Sequence, residues 1–397
     1  MLAFTFPGQG SQRPGMGEPW VDEPSWELVE EASEIAGRDV GDLLVHADAE
    51  ALRQTRNAQL ATFVLSLVVL DAVERVGVVP SITAGHSLGE YTALCGTGAL
   101  SFPDAVRIVT ERGDAMQEAA EDSPGTMAAV LGLDDDDVDA ACRRAEGDVW
   151  VANFNAPGQV VIAGGADSVA RAGDVAKDLG AKKVMPLPVS GAFHTPFMAS
   201  ARERLKKAVA HATLRLPDVP VVANIDARAH TDPDEWESLL SAQLTSPVRW
   251  RQTVMRLADD GVDTFVELGP GGVLTGMVKR IASGVRTVAV ATPDDLDNLL
   301  EVLSGEPPVQ VPAGEHLYMH ERLVVSPAAG VFALDDAWKA TGSTPDDHGN
   351  PTVDVGQLLG RVGSDEVRSL FAGELMSFVA VDGERLTAGQ PVAWLRT

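Results

Sequence analysis

The pentapeptide Gly85-His86-Ser87-Leu88-Gly89 restricts the possible folds of this chain more than any other stretch. An apolar run from Val76 to Ala84, interrupted by Pro80, leads into it and reads as a strand, and a helix is expected after it from about Leu88 towards Gly96. G-x-S-x-G set between a strand and a helix is a nucleophile elbow. Glycine on either flank permits a sharp turn that projects Ser87 Oγ, while the backbone N–H of Leu88 faces the reacting carbonyl at the helix N-terminus.

The remaining pattern supplies an α/β frame around that turn. Leu2 to Phe6 reads as a short strand ending in the turn Pro7-Gly8-Gln9-Gly10, and Leu60 to Arg75 is apolar nearly all round, as a buried helix is. Phe102 to Met116 has the period of an amphipathic helix with Pro103 near its start. Strands at Gly125–Leu133, Val149–Asn155 and Val160–Gly164, helices at Asp134–Glu146 and Asp167–Leu179, and a closing strand near Lys183–Val189 form a β-α-β-β-α-β series. A helix over Met198–Ala210, strands near Val221–Asn224 and Thr264–Glu267, and a loop opened by Gly269-Pro270-Gly271-Gly272 complete this part. The expected architecture is an α/β-hydrolase-like large subdomain over 1–303 with a ferredoxin-like small subdomain inserted at about 125–195. A Pro- and Gly-rich linker at 304–314 follows, then a C-terminal all-β barrel-sandwich domain over 315–397.

At 397 residues, 45% of them hydrophobic, the chain can build a large catalytic unit and something smaller beside it. Its formal net charge of −27 argues against nucleic acid or an anionic membrane as partner. The best candidate for a membrane span, Leu60 to Val73, is broken by Ser66 and Asp71. MLAFTFPGQG carries no basic residue ahead of its apolar stretch, and the two cysteines, Cys95 and Cys142, make no disulfide framework, so a cytoplasmic location is expected.

A serine needs a base to take its proton. The chain has eight histidines. His86 adjoins Ser87 but points differently on an elbow. His194 lies in Pro188-Val-Ser-Gly-Ala-Phe-His194-Thr-Pro, between a strand and a helix, where a loop can present it. Spacing alone does not choose between them.

FPGQGSQ at 6–12, GHSLGEY at 85–91, ERG at 111–113, NFNAPGQVVIAG at 153–164, SGAFHTPFM at 190–198, QLTSPVRW at 243–250 and ELGPGGVLTG at 267–276 resemble the malonyl-CoA:acyl carrier protein transacylases. The blocks cover about residues 1–290 and follow the family order. The resemblance implies Ser87 as acylated nucleophile, His194 as its base and the N–H groups of Leu88 and Gln9 as oxyanion hole. It further implies Gln243 as the residue whose backbone region orients His194, without an acidic third member. Arg112 corresponds to the arginine that grips the malonyl carboxylate, a task suited to a planar guanidinium fork. Phe193 resembles the malonyl-selecting form of its motif, in which a ring crowds the substrate α-carbon. A ping-pong transfer with malonyl-CoA as substrate, an acyl carrier protein as partner and no cofactor or metal is implied. An acidic chain needs a basic landing site for an acidic carrier. Lys182-Lys183, Arg202, Arg204 and Lys206-Lys207 are the candidates.

The tail, VDVGQLLGRVGSDEVRSLFAGELMSFVAVDGERLTAGQPVAWL, resembles a biotinyl/lipoyl attachment domain. Where such domains present a lysine at a hairpin tip, this one has Gly363-Ser364-Asp365-Glu366, and Lys339, the only lysine beyond residue 315, lies in a different segment. Loss of the swinging arm is expected, with docking, dimerisation, a lid or simple stabilisation open as roles. Two other functions remain open: a thioester hydrolase on the same scaffold, and a docking subunit of a polyketide or fatty-acid synthase. Arg112 argues against hydrolysis of simple acyl chains, and the intact set of Ser87, His194, Arg112 and Gln9 argues against a purely structural role.

Overall fold

A computed structural model describes residues 1–189, 191–303, 321–339, 351–369 and 371–396. The protein is mixed α/β with an additional β-sheet region at its C-terminal end, and it divides into two compact units, Met1–Val311 and Pro312–Thr397. The expected linker at 304–314 lies outside the described residues.

In the first unit the strands are β1 (Leu2–Phe6), β2 (Ile82–Gly85), β3 (Thr126–Leu131), β4 (Val149–Ala156), β5 (Gln159–Gly164), β6 (Lys183–Pro186), β7 (Val221–Val222), β8 (Ala229–His230), β9 (Thr264–Leu268) and β10 (Arg286–Val290). They form two sheets. The larger has the order β10-β9-β1-β2-β7-β8, parallel except for β8. Its central strands β1, β2 and β9 are buried along almost their whole length, as a sheet covered on both faces requires. The smaller sheet is antiparallel in the order β4-β5-β3-β6, and its apolar face, with Val130, Val160 and Ile162, packs on the helices Asp135–Arg144 and Ala166–Asp178. A parallel bridge between Asn153 and Val248 connects β4 to the segment just after Gln243, tying the small sheet to the larger body.

Three expectations need correction. The strand read over Val76–Ala84 is confined to Ile82–Gly85. The preceding helix runs to Arg75, Gly77 turns the chain at φ +82°, and only then can the backbone extend. The apolar helix is also longer than the sequence suggested. It spans Thr55–Arg75 and is long and apolar enough to cross a membrane by length and composition, yet 89% of its apolar window is buried inside the protein. Ser66 and Asp71 do not interrupt it, because both are covered by the surrounding protein. The helix expected over Phe102–Met116 continues to Asp122 and is capped by Ser101, whose side chain accepts from the Asp104 N–H.

The second unit holds β11 (Glu321–Val325), β12 (Gly330–Leu334), β13 (Thr352–Val353), β14 (Leu358–Val362), β15 (Asp365–Arg368), β16 (Gly373–Phe378), β17 (Arg385–Leu386) and β18 (Pro391–Arg396). Two four-stranded sheets, β11-β18-β16-β13 and β15-β14-β12-β17, enclose a core that includes Phe332, Leu359, Leu375 and Leu395. The β14–β15 hairpin closes through Gly363-Ser364, with Gly363 at φ +64°.

Candidate active site

The elbow forms where β2 meets the helix Gly89–Gly96, and its two glycines are sterically obligatory. A Cβ on Gly85 would lie 1.8 Å from Gly89 C, and one on Gly89 would lie 2.1 Å from Phe6 O. Ser87 itself sits at φ 53°, a left-handed conformation that non-glycine residues seldom adopt. The turn after β1 is pressed against the elbow, since a Cβ on Gly8 would stand 2.4 Å from His86 O. That contact brings Gln9 to the rim of the same cleft.

One cleft is lined by Gln9, His86, Ser87, Asn155, Phe193 and His194, among others. The larger body supplies the elbow and Gln9, while the small sheet contributes Met127, Asn153, Asn155 and Val161. Leu88, Arg112 and Gln243 are buried.

Ser87 Oγ and His194 Nε2 are 2.8 Å apart. His194 Nδ1 lies 2.9 Å from the backbone carbonyl oxygen of Gln243. A carbonyl only accepts, so Nδ1 carries the proton and Nε2 presents its lone pair to the serine hydroxyl. His194 is also left-handed, at φ 61°, and is 4% exposed. Burial pushes its pKa down to about 3; the Gln243 carbonyl works against this and the Arg112 charge adds to it. The imidazole is therefore neutral at physiological pH, as a proton acceptor must be.

Arg112 is 1% exposed, on the inner face of the helix Phe102–Asp122. Its Nη2 donates to Ser87 Oγ at 3.1 Å and to Gln243 Oε1 at 3.1 Å, and its Nη1 donates to Gln59 Oε1 at 2.6 Å. The guanidinium lies over the Tyr91 ring, 5.1 Å from its centre. The three groups that accept from it, the Ser87 hydroxyl and two side-chain amides, are neutral, which leaves a buried positive charge beside the nucleophile.

The structure thus brings Ser87, His194, Arg112 and Gln243 into one hydrogen-bonded group, with Gln9 and Phe193 on the cleft wall and Leu88 at the head of the helix. Phe193 is seated against Gly191, where a Cβ would approach its ring to 2.9 Å. His86 turns away from the serine, its Nε2 lying 2.9 Å from Asn155 Oδ1. Among the basic candidates, Arg204 is engaged with Glu111 at 2.7 Å and with Glu118.

Residue patterns gave no sign of three participants. Asn224 Oδ1 accepts from the Ser87 N–H at 2.7 Å and its Nδ2 donates to Gly85 O at 2.7 Å, bridging the elbow. The signal available was positional: Asn224 follows β7, the neighbour of β2, near the carboxyl ends of parallel strands, where α/β sheets gather their sites. Gln59 is hidden in an otherwise apolar helix, and Glu90 lies inside a motif noted for its serine.

Residues 3–298 match the acyl transferase domain family. The chain is 42% identical over 310 residues to the malonyl CoA-acyl carrier protein transacylase of Bacillus subtilis, covering 77% of this chain and 98% of that protein. It is also 42% identical over 308 residues to the enzyme of the same name from Escherichia coli, covering 76% and 99%. Among solved structures, a malonyl-transacylase in complex with a type II PKS acyl-carrier protein superposes with a TM-score of 0.73 at 38% identity, over 76% of this chain and 99% of that one. With sequence, fold and site in agreement over the first unit, the chain belongs to the malonyl-CoA:acyl carrier protein transacylase family.

Proposed function

We propose that the protein transfers a malonyl group from malonyl-CoA to the phosphopantetheine thiol of an acyl carrier protein. One observation carries the reading: the buried Arg112 guanidinium lies within hydrogen-bond distance of the same Ser87 Oγ that His194 Nε2 approaches. A nucleophile placed beside a buried cation favours an acyl group that bears its own carboxylate.

His194 Nε2 takes the Ser87 hydroxyl proton as Oγ attacks the thioester carbonyl. The oxyanion forms opposite the N–H groups of Leu88 and Gln9. Leu88 suits this role because the first N–H groups of a helix have no partner within it. The C–S bond then breaks, and coenzyme A leaves with the proton held by His194. A malonyl ester remains on Ser87, its carboxylate held by Arg112. The carrier thiol next gives its proton to His194, its sulfur attacks the ester, and Ser87 regains its hydrogen. Gln243 holds His194 in the required tautomer through its backbone carbonyl. No cofactor enters the scheme. The Phe193 ring, packed over Gly191 on the cleft wall, crowds the α-carbon and disfavours a methylmalonyl group.

The small sheet, in its order β4-β5-β3-β6 with two helices on one face, is read as a ferredoxin-like insertion in an α/β-hydrolase-like body. The second unit is read as a barrel-sandwich of the biotinyl/lipoyl type whose hairpin tip, Gly363-Ser364, carries no acceptor lysine. Domains at 1–303 and 315–397 and a cytoplasmic location follow from this reading.

The deciding experiment is incubation with malonyl-CoA in the absence of any carrier, followed by intact mass measurement of the protein and of Ser87→Ala. A malonyl adduct confined to the protein with Ser87 supports transfer. Steady release of coenzyme A with no adduct would put hydrolysis in its place.

A further inference from the structure

Gln243 meets Ser87 and Arg112 through the two ends of its side chain and His194 through its backbone carbonyl. Its Nε2 donates to Ser87 O at 2.8 Å and to Glu90 Oε2 at 2.5 Å, while its Oε1 accepts from Arg112 Nη2 at 3.1 Å. The two ends of an amide have nearly the same shape and opposite polarity, so orientation is decided by the neighbours. Turned over, Nε2 would meet the Arg112 donor, and Oε1 would meet the Ser87 carbonyl oxygen, which only accepts. Ser87 O is already shared with the Glu90 N–H at 3.2 Å. Glu90 takes up the second amide hydrogen.

We propose that Glu90 is a positioning residue whose carboxyl group locks the Gln243 amide in the orientation that aims Arg112 at the acyl carboxylate. The inference rests on the reading of Arg112 as the carboxylate clamp and adds the residue that sets it. Glu90 is 0% exposed, in the first turn of the helix behind the elbow, and Gln243 is 0% exposed as well, so water cannot replace either contact. The charged groups that act on Glu90 are Arg112, from the helix Phe102–Asp122, and Asp226, beyond β7. Burial outweighs the Gln243 hydrogen bond and the Arg112 charge, and pushes the carboxyl up to about 8. The carboxyl therefore favours its uncharged form near neutral pH. It can fix the amide by hydrogen bonding without neutralising Arg112, whose charge stays available to the substrate.

Glu90 acts on the clamp and leaves the base in place, because His194 is held by the Gln243 backbone carbonyl, which the side-chain orientation does not move. Carboxylate-bearing and plain acyl groups therefore separate the two roles. The rates of acyl-enzyme formation from malonyl-CoA and acetyl-CoA are measured by intact mass for the full chain, Glu90→Gln, Glu90→Met and Gln243→Met. Glu90→Gln keeps an acceptor for Gln243 and is expected to hold the malonyl-to-acetyl ratio within about threefold. Glu90→Met and Gln243→Met each cost Arg112 its fixed Gln243 acceptor and lower that ratio about ten- to a hundredfold, the scale of one lost hydrogen bond to the charged guanidinium. In Glu90→Met the acetyl rate stays nearly unchanged, and Gln243→Met is read by the ratio alone. Equal loss for both acyl groups in Glu90→Met, or an unchanged ratio, overturns the proposal. Should Glu90→Met not fold, an unchanged ratio in Gln243→Met overturns it alone. A wild-type chain that takes no malonyl group defeats the functional reading itself, an outcome distinct from the failure of Glu90.

Discussion

Asn224→Ala is expected to uncouple the elbow from its scaffold. The side chain is 1% exposed and makes two 2.7 Å hydrogen bonds, one from the Ser87 N–H and one to Gly85 O. Alanine leaves both backbone groups without these partners in a closed interior, at about 1–3 kcal/mol each, so roughly 2–6 kcal/mol of stability is lost. At about 1.5 °C per kcal/mol for a unit as long as Met1–Val311, Tm falls by at least roughly 3 °C. The effect on activity comes from strain. Holding Ser87 at φ 53° costs about 1–2 kcal/mol, and Asn224 grips both ends of that turn. Once released, the peptide relaxes and Oγ leaves its 2.8 Å contact with His194, and a displacement near 1 Å costs about a hundredfold in rate. The assay pairs a thermal melt with the rate of acyl-enzyme formation from malonyl-CoA, measured below the lowered Tm. A variant with depressed Tm and wild-type acylation would refute the strain argument, since the elbow would then keep its shape unaided. A variant unchanged in both would refute the hydrogen-bond accounting as well.

Three further outcomes are expected. Gly85→Ala yields no native protein, because its Cβ would lie 1.8 Å from the Gly89 carbonyl carbon; a soluble variant with a cooperative melt contradicts this. Arg112→Lys retains a charge but not the fork, so malonyl acylation falls by about a hundredfold or more while acetyl acylation does not, a contrast read by parallel intact-mass time courses. Burial holds His194 at about 3, so kcat/KM for malonyl transfer stays flat from pH 7 down to pH 5, where an ordinary imidazole would protonate and inactivate the base. An acid limb near pH 6.5 contradicts the buried neutral histidine.

The elements legible in the sequence are those whose physics is local. Leu2–Phe6 reads correctly as a strand to the residue, because a short apolar run bounded by Pro7-Gly8 has few alternatives. The helix after the elbow is legible for the same reason. Val76–Ala84 was not, since apolar residues that end a buried helix look like those that begin a strand until Gly77 is known to turn the chain. Ser87 and His194 declare themselves through motif and chemistry. Gln59, Glu90 and Asn224 do not, because what matters in each is a hydrogen bond to a residue 53, 153 and 137 positions away in the chain. No local pattern records such a distance. Arg112 stands between these cases: helical period alone suggests a solvated residue, whereas the fold buries it to 1% exposure.

The order of the larger sheet has a consequence for synthesis. β1 is synthesised well before β9, yet it lies mid-sheet between β2 and β9, and Thr5 pairs with Glu267. At about 5–20 residues per second, the chain between them takes roughly 13–50 s to emerge. For that interval β1 keeps one bare edge, and the apolar helix Thr55–Arg75 lacks the cover that later segments give it. Gln243 emerges only near the end of the same interval, so the nascent chain carries Ser87 long before it carries the residue that orients its base. A ribosome-bound chain halted before residue 243 has a serine, a histidine and an arginine but lacks the carbonyl that turns the histidine into a base for the serine.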